Sequence, residues 1–167
     1  MKTVEHLNNE RIETIIKKCD VCFIGVVDGD APYVLPMNFG FKDNVIYLHS
    51  APEGRIVDIL KKNSNICVTF STGHELAFQH PEVACSYRMK SKSVVALGKV
   101  KFQEDFEKKE EALNIIMEQY SEKKFKYSGP AIRNVLIWEV PIDNVTCKEF
   151  GAPHEKYKGD DTVKRSF

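Results

Sequence analysis

Residues 31–60, APYVLPMNFGFKDNVIYLHSAPEGRIVDIL, predict a hairpin followed by a helix. Two β-rich runs, at 32–41 and 45–49, flank the short polar turn Lys42-Asp43-Asn44. Beyond them, apolar residues return at helical spacing and predict a helix over Arg55–Lys62. This order of strand, turn, strand and helix is the unit around which we place the other segments.

The remaining segments predict further strands and two more helices. Helices are expected at 8–18, where three isoleucines share one face, and at 106–120, through Leu113, Ile116, Met117 and Tyr120. Further strands are expected at 21–27, 66–71, 93–102, 134–140 and 145–150, with a turn at 141–144. The pattern between 72 and 92 favours neither state. Six or seven mostly antiparallel strands with three helices predict a mainly β fold, a β-barrel with helical covers.

The strand at 21–27 is expected to pair with the run at 32–41 across the turn Asp28-Gly29-Asp30. Pro32 and Pro36 lack the N–H group that a sheet ladder needs, so the second strand is expected at an edge or a bulge. Backbone groups left free beside a sheet are suited to docking a planar ligand.

Composition bounds the class of protein. A chain of 167 residues that is 43% hydrophobic predicts one domain at 1–150, with a polar C-terminal arm or tail at 151–167. Basic and acidic residues both number 24, so no global charge favours nucleic acid as a partner. The first residues lack the apolar core of a signal peptide, and no run approaches a membrane span. We therefore expect a cytoplasmic protein with no membrane partner.

Neither the cysteines nor the histidines form a strong metal or redox motif. Five cysteines, mostly in apolar segments, are expected to be reduced and buried: Cys19, Cys22, Cys67, Cys85 and Cys147. Cys19 and Cys22 form a CxxC, but no second CxxC follows. His74, His80 and Cys85 raise a zinc hypothesis, but HELAFQH lacks the one-turn histidine spacing of HExxH. No metal site is expected.

The run HSAPEGR, at 49–55, contains the groups that a phosphate site uses. His49 ends a strand, Ser50 is a candidate N-cap, and Gly54 and Arg55 belong to the first helical turn. Helix N-terminal N–H groups are unpaired, the helix dipole favours an anion, and arginine can bind it through two hydrogen bonds. A capping box between Ser50 and Glu53, with Arg55 simply solvated, explains the same residues without a ligand. Both interpretations stay open.

PYVLPMNFGF, a short turn, IYLHSAPEGR, ICVTF and SVVALGKV follow one another along the chain. Their order and spacing resemble the FMN-binding split-barrel superfamily, specifically the pyridoxamine 5′-phosphate oxidase-related proteins that include the 5-nitroimidazole-resistance (Nim) proteins. The resemblance extends from Asn8 to about Phe150. It implies a six-stranded antiparallel split β-barrel and a homodimer with the flavin in a cleft at its interface.

The same resemblance implies which residues contact the flavin. Met37, Asn38, Phe39 and Gly40 would lie beside the isoalloxazine ring, partly through backbone contacts. His49, Ser50, Ala51, Gly54 and Arg55 would approach the ribityl chain and the phosphate, and Ser93 would lie close to the cofactor. Relatives commonly carry a second basic residue after the position of Arg55, where this chain has Ile56; Lys90 or Lys92 could substitute. Trp138 is expected to pack in the core or an interface.

The leading functional expectation is an FMN-dependent oxidoreductase, with FAD as the alternative flavin. It would pass electrons from a donor such as NAD(P)H to a small organic acceptor, a nitroaromatic ring in a Nim-like activity. If an acid–base residue takes part, His49 is the candidate because histidine titrates near neutrality. Enzymes that form pyridoxal phosphate carry an arginine-rich C-terminal motif that we do not find here, so vitamin B6 oxidation is disfavoured.

The competing expectation is a non-catalytic flavin- or haem-binding protein. Related split barrels include haem-binding members, and His74 or His80 could supply an axial ligand.

Overall fold

The computed structural model describes residues 3–6, 8–151 and 164–166. Within these ranges no helix is long and apolar enough to cross a membrane. The chain order of the elements, interrupted by a 3-10 turn at Ala84–Ser86, is β1 (Thr3–His6), α1 (Asn9–Ile16), β2 (Cys22–Asp28), β3 (Ala31–Met37), β4 (Gly40–Lys42), β5 (Val45–Ser50), α2 (Arg55–Lys62), β6 (Asn65–Ala77), β7 (Arg88–Lys99), β8 (Lys101–Gln103), α3 (Phe106–Glu118), α4 (Gly129–Arg133), β9 (Leu136–Phe150) and β10 (Lys164–Ser166).

The fold is mainly β, with antiparallel strand pairing and a sheet that does not close, which confirms the split-barrel prediction. Internal contacts divide the chain into two compact units. The first unit comprises Met1–Cys19, Phe70–Val95 and Val145–Phe167; the second comprises Asp20–Thr69 and Ala96–Asn144. The strands β6, β7 and β9 each contribute residues to both. The assignment of 1–150 to one domain stays a prediction.

The first unit has the strand order β10-β1-β9-β7-β6. Asn8 caps α1 through its side-chain oxygen, which accepts the N–H of Glu10 at 2.8 Å. The three isoleucines of α1 are buried, as their spacing predicts. Of the predicted C-terminal tail, residues 164–166 pair with β1, and 152–163 and 167 lie outside the described residues.

The second unit contains the strand order β6-β2-β3 and, separately paired, β4-β5-β9-β8. β3 ends its order, so the prolines lie on an edge strand as predicted. The helix α2 contacts β2, and α3 contacts β4 and β5. At Gly40 the backbone of α3 comes so close that an added Cβ would lie 2.7 Å from Ile115 and Ile116 backbone atoms.

Two predictions about elements were wrong. The expected turn at 141–144 is absent, because β9 continues without reversal from Leu136 to Phe150. The buried face of α3 is Lys109, Ala112, Ile115 and Ile116, so only Ile116 of the four predicted residues is buried. The short helix α4 lies in a stretch for which the sequence predicted neither helix nor strand.

Among the described residues, no disulfide bond joins two cysteines. Burial was predicted for them as a group, and it holds for Cys19, Cys22 and Cys147. Cys67 is half-buried. Cys85 is exposed, because the segment 78–87 folds on its own hydrogen bonds rather than into the core.

Candidate functional site

The start of α2 differs from the predicted capping box. Ser50 ends strand β5, and the N-cap of α2 is Gly54, four residues later. Gly54 has a φ of 132° and offers no side chain, so no side-chain hydrogen bond caps this helix. Residues 51–55 are all exposed. The helix therefore presents its first N–H groups to solvent, and the backbone conformation of its N-cap is one that glycine adopts without strain.

Arg55 is the first residue of α2, and its side chain is held by the β2–β3 hairpin. Its Nε and Nη2 atoms donate to Oδ2 of Asp28 at 3.0 and 2.8 Å. Its guanidinium carbon lies 4.4 Å from the centre of the Tyr33 ring. The Arg55 side chain is nevertheless 64% exposed. The alternative in which Arg55 is simply solvated is therefore wrong, because an ion pair and an aromatic ring hold its guanidinium.

A second set of hydrogen bonds in this unit is centred on the hydroxyl of Ser50. The Trp138 indole N–H donates to Ser50 Oγ at 3.1 Å, and Ser50 Oγ donates to the Ala51 carbonyl at 2.7 Å. Trp138 is fully buried, which confirms its predicted place in packing. These bonds anchor the point where the chain leaves β5 for α2, because Ser50 is the last residue of that strand.

His49 precedes Ser50 on β5 and lies opposite Ile137 of β9. It is partly exposed, yet surrounding protein desolvates its ring and lowers its pKa below the ordinary histidine value. The imidazole is therefore neutral at pH 7 and can accept a proton there.

Met37 to Gly40 form the connection from β3 to β4. Asn38 is exposed, whereas Phe39 is fully buried and meets Tyr120 edge-on with ring centres 6.5 Å apart. The Phe39 N–H donates to the Tyr120 hydroxyl at 2.9 Å. The backbone at this connection is thus fixed by a phenol from just beyond the end of α3.

The other candidates lie in the first unit. Ser93 is a half-buried residue of β7. Lys90 pairs with Glu75 at 2.9 Å, and Lys92 Nζ lies 4.0 Å from the Glu149 carboxylate. Both lysines proposed as substitutes for the second basic residue thus have acidic neighbours in their own unit.

His74 and His80 already make hydrogen bonds through ring nitrogens. His74 Nε2 lies 2.9 Å from Ser71 Oγ. The Glu82 N–H donates to His80 Nδ1 at 3.3 Å, which places the proton of a neutral His80 ring on Nε2. Among the described residues, no group of three or more His, Cys, Asp or Glu side chains is arranged to hold a metal ion.

Comparison with known proteins assigns the family. Residues 8–149 match the model of the family described as pyridoxamine 5′-phosphate oxidase. The chain belongs to this family. A comparison with curated proteins gives no match.

Three solved structures are similar to this chain. A candidate 5-nitroimidazole antibiotic resistance protein from Bacteroides thetaiotaomicron is 49% identical over 89% of this chain and 88% of its own, with a TM-score of 0.81. The flavocytochrome Anf3 from Azotobacter vinelandii is 19% identical over 98% of this chain and 79% of its own, with a TM-score of 0.77. The FAD and heme binding protein from Mycobacterium smegmatis is 13% identical, covers 97% and 83%, and has a TM-score of 0.80. The last two show the fold alone.

Within this pyridoxamine 5′-phosphate oxidase family member, the second unit holds every predicted site residue except Ser93. Sequence reasoning missed Asp28, Tyr33 and Tyr120. Asp28 was taken only as a turn residue and Tyr120 as part of an apolar helix face. Their contacts join residues 22 to 81 positions apart in the chain, so no local pattern could have revealed them.

Proposed function

We propose that this protein binds FMN and passes electrons from NAD(P)H to a small organic acceptor, with a 5-nitroimidazole-type nitroaromatic as the first acceptor to test. Two findings support this proposal: membership of the pyridoxamine 5′-phosphate oxidase family, and 49% identity to the candidate 5-nitroimidazole resistance protein. The observation that carries it is the fixed guanidinium of Arg55 at the uncapped start of α2.

The residues at this helix start fit a phosphate monoester. Arginine has five N–H donors, of which Arg55 directs two at Asp28, leaving three to reach another acceptor. The first N–H groups of α2 add backbone donors and a favourable dipole. A Cβ built at Gly54 would meet no atom of the described residues within 4 Å, so the backbone is open to close approach. Arg55 and Gly54 would hold the phosphate, and Ser50 and Ala51 the adjoining chain of the cofactor.

The connection at Met37–Gly40 is our proposed location for the flavin ring, and Ser93 stays a predicted contact. A bound flavin supplies the electron-transfer chemistry. The protein orients the ligand and shapes its surroundings. At this connection the Phe39 N–H donates to the Tyr120 hydroxyl, which fixes the backbone. The side chain of Asn38, the residue before Phe39, is exposed to solvent.

His49 is the proposed acid–base residue. Because desolvation lowers its pKa, the ring is neutral at pH 7 and can take up a proton as a base, and the imidazolium so formed can give that proton back as an acid. His49 lies on β5, the strand that leads into the segment with the proposed phosphate site.

Haem is the alternative ligand, but the hydrogen bonds of His74 and His80 disfavour it. An axial ligand offers the metal an unprotonated ring nitrogen. In the present arrangement His80 carries its proton on Nε2 and accepts a bond at Nδ1, and His74 Nε2 is paired with Ser71. His80 would have to move its proton, and His74 would have to leave Ser71 in order to bind iron through Nε2, so we favour flavin.

We also propose that two copies associate through the outer face of the β2–β3 hairpin. The cross-strand pairs on this face are apolar throughout: Phe23 with Pro36, Gly25 with Val34, and Val27 with Pro32. Phe23, Val27 and Val34 are 45%, 56% and 62% exposed in the single chain. A contiguous exposed apolar sheet face marks an interaction site, and a homodimer would cover it.

The function is tested by loading the purified protein with FMN, removing free flavin and recording the visible spectrum. We expect bound flavin bands, anaerobic bleaching by NAD(P)H, and recovery of colour when a 5-nitroimidazole is added. Arg55→Ala should weaken FMN binding about 10- to 100-fold, because charge-assisted hydrogen bonds are lost. Lys61→Ala, which removes an exposed cation from the other end of α2, is the matched control. A protein that takes up neither FMN nor FAD would overturn the proposal.

A further inference from the structure

We propose that Asp28 and Tyr33 are positioning residues that orient the Arg55 guanidinium for a phosphate monoester. The inference rests on the proposed function, since Arg55 is the residue assigned to the phosphate. It adds two residues of the β2–β3 hairpin to a site whose other members lie on β5, α2 and the β3–β4 connection.

The two hairpin residues constrain Arg55 in different ways. Asp28 Oδ2 accepts from both Nε and Nη2, which fixes one edge of the planar guanidinium. The Tyr33 ring lies against the guanidinium carbon at 4.4 Å, which fixes its face. Together they leave Nη1 and the second hydrogen of Nη2 for another acceptor.

The hairpin register explains why both residues reach Arg55. Asp28 is the last residue of β2 and pairs with Ala31, while Tyr33 pairs with Val26. Alternation along β2 and β3 puts Asp28 and Tyr33 on the face that carries the buried Ile24 and Val26, where α2 contacts β2. The two-residue turn, with Gly29 at a φ of 63°, holds this spacing.

Stability alone gives little reason for the arrangement. The side chains of Arg55 and Asp28 are 64% and 36% exposed, and exposed ion pairs contribute little to folding. An arginine held in one orientation has already lost its side-chain freedom, however, and a ligand that uses it need not order it. Preorganisation is therefore the effect that this geometry favours.

The same carboxylate could act in the opposite way, as a counter-ion that competes with the ligand for Arg55. The two roles predict opposite results when the carboxylate is removed. Loss of a positioning group weakens binding of the phosphate, whereas loss of a competitor strengthens it. Affinity for the phosphate group, measured apart from affinity for the ring, therefore decides between them.

The experiment measures the dissociation constants of FMN and riboflavin by flavin fluorescence for the full chain and its variants. Riboflavin lacks the phosphate, so the ratio of the riboflavin constant to the FMN constant isolates phosphate recognition. Asp28→Ala removes the oxygen acceptors and Tyr33→Leu removes the ring. Asp28→Asn keeps an oxygen acceptor and Tyr33→Phe keeps the ring, and these are the matched conservative variants.

We expect Asp28→Ala and Tyr33→Leu to lower this ratio about three- to tenfold, as for loss of a preorganised side chain, with riboflavin affinity unchanged. Tyr33→Phe should retain the wild-type ratio and Asp28→Asn most of it. A fall in Asp28→Asn as large as in Asp28→Ala would still support the inference and would assign the positioning by Asp28 to its charge. A ratio that stays constant or rises in Asp28→Ala would overturn the inference.

Failure of the proposed function has a different signature. If the wild-type protein binds FMN no more tightly than riboflavin, or Arg55→Ala leaves the ratio unchanged, then Arg55 is not the phosphate ligand. If Asp28→Ala does not fold, as judged by loss of riboflavin binding, Tyr33→Leu against Tyr33→Phe decides the matter: equal ratios in these two overturn the inference.

Discussion

At the scale of single residues, the candidate site depends on the unusual backbone conformation of Gly54 at the start of α2. Its φ of 132° is a region that residues with a Cβ rarely adopt, although a Cβ there would meet no atom within 4 Å. Gly54→Ala should therefore cost about 1–2 kcal/mol of the free energy of unfolding through backbone strain alone. Urea denaturation measures this cost.

Gly25→Ala is the matched control for this prediction. Its added Cβ would make ordinary contacts, 3.8 Å from Val34 and 3.9 Å from Cys67, and its φ lies outside the strained range. We expect little change in the free energy of unfolding. A Gly54→Ala variant as stable as this control would show that the α2 start can relax into another conformation.

Cys147 predicts a pH dependence of stability. Burial, and next the charge of Glu149, raises the pKa of the Cys147 thiol to about 11 from a reference of 9.0. The folded state therefore keeps its proton where the unfolded state loses it, so stability is complete below pH 9 and falls as pH rises towards 11. The loss from this group should reach about 2–3 kcal/mol.

The measurement is the free energy of unfolding in urea at several pH values from 8 to 10.5. Cys147→Ala should flatten the decline, because the variant lacks the group that titrates. Cys85→Ala, which removes an exposed thiol, should decline as the wild type does. Parallel curves for wild type and Cys147→Ala would contradict the assignment.

At the scale of elements, local sequence sufficed where an element is determined by its own residues. The helix α2 spans Arg55–Lys62, as its apolar spacing and the glycine and asparagine beside it predicted, although its N-cap is Gly54 and not Ser50. The turn at Asp43 and Asn44 is also confirmed, with φ of 50° and 62°, values that these residue types tolerate.

The prediction failed where a distant partner decides the outcome. Pro141 and Asn144 are typical turn residues, but β9 stays extended because Val45 of β5 pairs with Pro141 and the Ile142 N–H donates to the Asn44 carbonyl. Serine is a common N-cap residue, but the hydroxyl of Ser50 accepts a hydrogen bond from Trp138, 88 positions away. Such contacts leave no periodicity in the sequence.

The sequence predicted the wrong buried face for α3, because the prediction used apolar residues only and the buried face contains a lysine. Lys109 is 8% exposed, and its ammonium donates to the Val135 carbonyl at 2.8 Å. Lys109→Met keeps the aliphatic stem but removes the donor, and should lower the free energy of unfolding by about 1–3 kcal/mol. Lys108→Met, at an exposed neighbour on the same helix, is the control in thermal or urea denaturation. Equal stability of the two variants would contradict the prediction.

At the scale of the whole molecule, the order of the sequence segments predicted the family, but it did not predict the packing that builds the candidate site. The segments 32–41, 46–55, 66–70 and 93–100 resemble the family in their order, and the family match at 8–149 bears this out. The residues that hold Arg55 depend instead on how the β2–β3 hairpin packs on α2. Asp28 and Tyr33 could therefore be found only in three dimensions.

The proposed homodimer gives the last prediction, made for the whole molecule. Val34 is 62% exposed on the apolar outer face of the β2–β3 hairpin, so Val34→Lys would place a charge in the proposed interface. We expect light scattering after size exclusion to show a dimer for wild type and a monomer for Val34→Lys, with weaker FMN retention if the partner completes the site. Asn63→Lys adds the same charge at the exposed end of α2 and should stay dimeric. A monomeric wild type, or a dimeric Val34→Lys, would place any interface elsewhere.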